Sequence, residues 1–253
     1  MGQSVSEPAA SERAADAPPA PRTPDTYWLL EGATLLLLAL TGGLFVQGET
    51  NIPASGAVLM VSNHSSYFDP VAIGDASTRR VCFMAKAELF DNKILGFLLR
   101  GVDEYPVKRG AADRTAFKNT FALLEEGRIV CIFPEGTRGD GETLGEAEPG
   151  AALFALKTGC PVVPVYVSGT SRLLGKSGGL KRSPVTVAFG TPFTLDRKTD
   201  REEGGRRMMA AIAATRDEWR GKPARRIYPH WLKKPREGRR AGSPSPLPPA
   251  VSE

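Results

Sequence analysis

The stretch VSNHSSYFDP, residues 61–70, sets a histidine and an aspartate five positions apart. An imidazole with an ordinary pKa of about 6.5 takes a proton from a hydroxyl near neutral pH, and a carboxylate beside it fixes the tautomer and stabilises the imidazolium. In a continuous helix His64 and Asp69 would point about 140° apart, so a turn must bring them together. Asp69-Pro70 has a competing structural explanation, an N-cap aspartate followed by proline at the first helical position. Metal chemistry is poorly served, because the chain has two histidines, His64 and His230, and no HExxH or CxxC. Ser65 and Ser66 lie outside any GxSxG elbow, the strained turn that makes a serine nucleophilic. What remains is His64 as a general base oriented by Asp69.

Two further clusters carry polar chemistry. Phe133-Pro134-Glu135-Gly136-Thr137-Arg138 offers a carboxylate for a hydroxyl or amine, a glycine that permits close backbone approach, and a guanidinium fork that suits a phosphate. Tyr105-Pro106-Val107-Lys108-Arg109-Gly110 adds two cations on a loop. Taken singly, each is explained as well by a surface turn or a solvated face.

The elements that must position these residues are readable as an alternation. AVLMVS, VCFMA, RIVCIF, PVVPVYV and PVTVAFG are apolar nearly throughout, as strands covered on both faces are. Between them DRTAFKNTFALLEEG carries Phe117, Phe121 and Leu124 at helical spacing, with Asp113 as N-cap and Gly127 as stop, and GAALFALKTG reads as a shorter helix. The pattern implies an α/β domain built on a mostly parallel central sheet with flanking helices. Ligands gather at the carboxyl ends of such strands, and His64 follows one directly.

Composition sets the outer limits. The chain has 253 residues, a formal net charge of +5, and room for one sizeable core. Its three cysteines, Cys82, Cys131 and Cys160, sit apart within apolar runs and read as reduced, buried thiols. Residues 1–25 read as a disordered leader, and residues 26–48 as a membrane-associated helix that lies in or dips into one leaflet. A true span and a buried core helix are the alternatives, since Gly32 to Gly48 without charge is short for crossing a bilayer. A catalytic domain is expected over 49–219 and a basic, Pro-rich tail over 220–253, where nine Arg or Lys oppose Glu237 alone between Arg220 and Arg240. Neither a recognition helix nor an aromatic platform accompanies that charge, so nucleic acid is not expected; anionic lipid headgroups satisfy it, and a plain solvated tail is the alternative.

In combination the clusters resemble the glycerolipid acyltransferase family typified by the bacterial 1-acyl-glycerol-3-phosphate enzymes. NH, four residues and D is matched by Asn63 to Asp69; the arginine block by YPVKRG with Arg109 and Gly110; FPEGTR in full by Phe133 to Arg138; and the paired-proline block by PVVPV, with Pro164. The resemblance covers about residues 26–200 and departs at DNKILG, where the family commonly has a proline-containing linker, which leaves the shape of the acyl pocket open. It implies transfer of a fatty acyl group from acyl-CoA or an acyl carrier protein thioester to a lysophospholipid hydroxyl. The acceptor implied first is 1-acyl-glycerol-3-phosphate, giving phosphatidic acid; another lysolipid such as a lyso-ornithine lipid, glycerol phosphate, and a non-catalytic membrane-bound scaffold are the alternatives. His64 and Asp69 would be catalytic; Arg109, Glu135, Gly136 and Arg138 would bind the acceptor; Asn63, Gly110, Thr137 and Pro164 would support them. No cofactor or metal is called for. The expected place is the cytoplasmic face of a membrane, as a peripheral or monotopic protein.

One segment competes with this reading. GTSRLLGKS, residues 169–177, follows a strand as a phosphate-binding loop would, but Gly169 and Gly175 enclose five residues where that loop requires four.

Overall fold

The computed structural model describes residues 24–91, 104–107, 114–141, 143–148, 150–173 and 181–228. The expected leader up to residue 23, the Lys108-Arg109-Gly110 loop, Asp113, DNKILG beyond Asp91, and the tail beyond Tyr228 lie outside them.

The five strands expected from the apolar runs all form: β2 (Val58–Ser62), β3 (Val81–Lys86), β5 (Ile129–Ile132), β6 (Val162–Ser168) and β7 (Val185–Phe189). With β1 (Leu44–Gln47), β4 (Glu104–Val107) and β8 (Arg225–Ile227) they make one eight-stranded sheet in the order β4-β3-β5-β2-β6-β7-β1-β8. The first five are mutually parallel; β7 runs against β6, β1 runs with β7, and β8 runs against β1. The sheet is thus mostly parallel, as its strand composition implies. Its hydrogen-bond register puts the carboxyl ends of β2, β5 and β6, the start of β1 and the end of β8 along one edge.

Side-chain alternation sends the central strands into two cores. Val58, Met60, Val163 and Val165 face one side with Leu35, Leu38 and Ile73, while Leu59, Val61 and Val162 face the other with Leu123, Phe154 and Ile212. The first side is covered by α1 (Pro24–Leu40) and α2 (Asp69–Ala76), the second by α3 (Arg114–Glu125), α4 (Leu153–Thr158) and α5 (Arg201–Trp219). In α3 and α4 the predicted apolar positions meet: Phe117 and Phe121 place their rings 5.1 and 5.2 Å from that of Phe154. Gly159, left-handed at φ 68°, ends α4.

Three expectations change. The apolar run over 26–48 is not one helix: α1 stops at Leu40, Gly42 and Gly43 turn at φ 135° and 100°, and Leu44–Gln47 pairs with β7 and β8 inside the sheet. A Cβ at Gly42 would lie 2.7 Å from the Ser183 carbonyl carbon, so the chain passes the segment before β7 only with a glycine there. The basic tail begins with structure, because β8 pairs with β1; catalytic domain and flanking segments therefore share one sheet. Asp69 does not cap α2 with its side chain: Phe68 takes the N-cap position and the carboxylate turns back toward residues 64–66.

Two polar contacts matter below. Where α1 crosses α2, the Thr34 hydroxyl donates to both oxygens of Asp75 at 2.8 and 3.0 Å, and burial, with the charge of Glu31 nearby, pushes the Asp75 carboxyl well above its usual range. At the amino ends of the parallel strands, the Arg79 guanidinium donates to the carbonyls of Pro53, Gly56 and Gly127, each at 2.9 Å. The three cysteines are buried and stand outside any disulfide, and burial pushes the Cys131 and Cys160 thiols up.

Candidate active site

Asn63 leaves β2 and clasps β6 as a strand residue would, its side-chain amide donating to the Val167 carbonyl (2.9 Å) while its oxygen accepts the Val167 N–H (2.8 Å). This clasp fixes where the next residue starts, so the 63–68 turn projects His64 over the carboxyl edge of the sheet. The turn then closes on Asp69, fully buried at the first turn of α2. Its Oδ2 accepts from the N–H groups of Ser65 (2.6 Å) and Ser66 (2.8 Å) and from His64 Nδ1 (2.9 Å). With its proton on Nδ1 the imidazole keeps a lone pair on Nε2, the state a general base needs. The His64 side chain is 15% exposed and its ring stacks on Phe133 with centroids 4.0 Å apart, so it is held on one face and open at an edge.

The second oxygen of Asp69 has its own donor, the Thr170 hydroxyl at 2.5 Å, and that hydroxyl lies 3.3 Å from Ser65 Oγ. Sequence reasoning gave Thr170 no part. Its signal lies in GTSRLLGKS, whose resemblance to a phosphate loop masks a strand end that faces His64.

FPEGTR leaves β5 beside this turn. Glu135, nearly buried, accepts the His64 backbone N–H (3.2 Å) on one oxygen and the Gly145 N–H (3.1 Å) on the other, and the Gly139 N–H donates to the His64 carbonyl at 2.8 Å. Glu135 thus laces three loops around the histidine. Gly136 turns at φ 64°, and a Cβ there would meet Glu148 Cγ at 2.8 Å. Thr137 and Arg138 are exposed, and the Arg138 guanidinium lies 3.7 Å above the Tyr67 ring centroid. Pro164 sits apart from this cluster, inside β6, where its carbonyl accepts the Gly190 N–H. The fold gathers Asn63, His64, Asp69, Glu135, Gly136, Thr137 and Arg138; Arg109 and Gly110 fall outside the described residues. Among the described residues no three of His, Cys, Asp or Glu stand where they could share a metal ion.

The family model described as Acyltransferase matches residues 43–168. A 1-acyl-sn-glycerol-3-phosphate acyltransferase of Bacillus subtilis is 33% identical over 158 residues, covering 61% of this chain and 78% of the relative. The chain belongs to the acyltransferase family. Another relative of that name, from Streptococcus pneumoniae, is 31% identical over 183 residues, 70% of this chain and 67% of its own length. In fold, this acyltransferase is similar to the crystal structure of the 1-acyl-sn-glycerophosphate (LPA) acyltransferase, PlsC, from Thermotoga maritima. The TM-score is 0.63 at 22% identity, over 76% of this chain and 79% of that one. The matched segment begins just before β1 and ends with β6, so the His64–Asp69 pair and the whole FPEGTR block lie within it.

Proposed function

We propose that this acyltransferase moves a fatty acyl group from a thioester, acyl-CoA or acyl carrier protein, to the free hydroxyl of 1-acyl-glycerol-3-phosphate, giving phosphatidic acid for phospholipid synthesis. The observation that carries the mechanism is the 2.9 Å contact between His64 Nδ1 and the buried carboxylate of Asp69. His64 Nε2 takes the proton of the acceptor hydroxyl as its oxygen attacks the thioester carbonyl carbon. Asp69 stabilises the imidazolium so formed. When the tetrahedral intermediate collapses, the carbon–sulfur bond breaks and the imidazolium returns the proton to the leaving thiolate, so no acyl-enzyme forms. Phe133 limits tilting of the imidazole during both transfers.

Arg138 holds the acceptor phosphate, at a solvent-facing edge a charged headgroup can reach, and Arg109 is assigned to the same task. Glu135 and Gly136 shape the acceptor pocket from behind, Glu135 by bracing the His64 loop. Both substrates carry acyl chains, and association with a membrane surface follows from the outward faces of α1: Leu36 and Leu40 are 42% and 70% exposed. Among the described residues no helix is long and apolar enough to cross a membrane, which suits attachment to one leaflet.

The test offers purified protein a panel of lysolipids (1-acyl-glycerol-3-phosphate, a lyso-ornithine lipid, lysophosphatidylethanolamine) and glycerol phosphate, with acyl-CoA and acyl carrier protein donors, and reads products by mass spectrometry. Phosphatidic acid should dominate, and His64→Ala should lower its formation at least about a hundredfold, the lower end of a general-base contribution. Near-normal turnover by His64→Ala would dispose of the mechanism, and preference for a phosphate-free acceptor would dispose of the substrate.

A further inference from the structure

We propose that Thr170 is a positioning residue for this reaction: its hydroxyl holds the second oxygen of Asp69, keeping the carboxylate ionised and its other oxygen on the His64 imidazole. The inference rests on His64 acting as the base.

The two oxygens of Asp69 are treated unequally. Oδ2 receives three donors, the Ser65 and Ser66 N–H groups and His64 Nδ1. Oδ1 receives the Thr170 hydroxyl. Both residues are fully buried, so neither oxygen has water to fall back on. A buried carboxylate oxygen that loses its donor is a place for a proton to settle, and a protonated Asp69 cannot stabilise an imidazolium. With its proton committed to Asp69, the Thr170 oxygen still accepts from Ser65 Oγ at 3.3 Å, which leaves the hydroxyl no other orientation to prefer.

The backbone is arranged to deliver this contact. Gly169 turns at φ 89° as the chain leaves β6, and a Cβ there would lie 2.0 Å from the Pro184 carbonyl oxygen, so the turn admits glycine alone. The Ser183 hydroxyl donates to the Gly169 carbonyl at 2.9 Å, and the Leu173 N–H to the Thr170 carbonyl at 3.1 Å, with Leu173 itself buried. The Asn63 clasp on Val167, three residues earlier, sets the same strand end against the His64 turn. Gly169 in the phosphate-loop-like segment therefore makes a turn that aims a hydroxyl, and needs no phosphate to account for it.

The test compares Thr170→Val, which keeps the shape and deletes the hydroxyl, with Thr170→Ser, which keeps the hydroxyl. Activity with palmitoyl-CoA and 1-oleoyl-glycerol-3-phosphate is normalised to folded protein by thermal unfolding. Thr170→Val should lower kcat about 10- to 100-fold, as loss of a partner that orients a functional residue does, with both KM values within about twofold. Because the deleted donor favoured the charged form of the Asp69 carboxylate, the acid limb of kcat/KM should move up. Thr170→Ser should restore kcat to within about threefold and return the limb, and in an Asp69→Asn background Thr170→Val should cost less than about twofold more. A Thr170→Val loss that merely follows the folded fraction, with the limb unmoved, overturns the proposal, as does a serine variant no better than valine. If Thr170→Val is unaffected while His64→Ala is inactive, this inference alone falls; if His64→Ala is active, the base assignment beneath it falls.

Discussion

Arg138 lays its guanidinium over the exposed ring of Tyr67, at the same sheet edge as His64, and the proposed function gives it the acceptor phosphate. A charge-assisted contact of this kind is worth about 1.5–3 kcal/mol. Arg138→Ala should therefore raise KM for 1-acyl-glycerol-3-phosphate by about one to two powers of ten and leave KM for the acyl donor within about twofold. Steady-state kinetics with each substrate varied in turn decides it, and a shift in the donor's KM instead would mean that the two substrates are placed the wrong way round. At this scale the sequence was legible where identity and short spacing suffice: a turn was required between His64 and Asp69, and one forms. Thr170 was not legible, because 101 positions separate it from Asp69 and only the β2–β6 pairing brings them together.

Between elements, the contact of α1 with α2 carries a pH dependence. The Asp75 carboxyl has a raised pKa in the folded protein, so over the range between its ordinary and its raised value the native state binds more protons than the unfolded chain. Its stabilising contribution is complete below the ordinary carboxylate pKa and is lost as pH rises through the raised one. Asp75→Asn, which still accepts from Thr34, should unfold at a higher temperature than wild type, with a gap that widens from pH 4 toward pH 8; each kcal/mol so recovered is about 2–4 °C in Tm. A gap that stays constant or narrows with pH would assign the titration to another group. Strands covered on both faces announced themselves as apolar runs, which is why β2, β3, β5, β6 and β7 were readable. β1 was absorbed into the apolar helix before it because length and hydropathy alone do not separate the two. β8 hid in a basic stretch, since its Arg225 and Arg226 are exposed and Ile227 alone points inward. Helix α5 was missed because its buried stripe is sparse and includes Gly204, where a Cβ would come 2.6 Å from that of Ala152.

For the molecule as a whole, the register of the sheet brings three exposed large apolar residues, among those described, toward the edge that carries His64. Leu40 lies just before the start of β1, Tyr228 just after the end of β8 and Tyr67 just after β2, with exposed Arg226, Lys181 and Arg182 among them. Leu36→Ser with Leu40→Ser should lower affinity for anionic vesicles about tenfold or more while barely changing Tm, since both side chains face solvent. Added salt should weaken wild-type binding without abolishing it, each cation near the surface contributing about 1 kcal/mol. Sedimentation with vesicles at two salt concentrations reads both effects, and a double variant that pellets like wild type would move the contact to another face. The opposite edge has a different fate. Arg79 gathers three loop carbonyls there, far from any reacting atom, and losing those bonds should cost about 2–3 kcal/mol of stability. Arg79→Ala should thus behave as a temperature-sensitive lesion: each folded molecule turns over at the normal rate, but above some growth temperature proteolysis of the unfolded fraction depletes the enzyme, and cells would run short of product through abundance, with the chemistry intact.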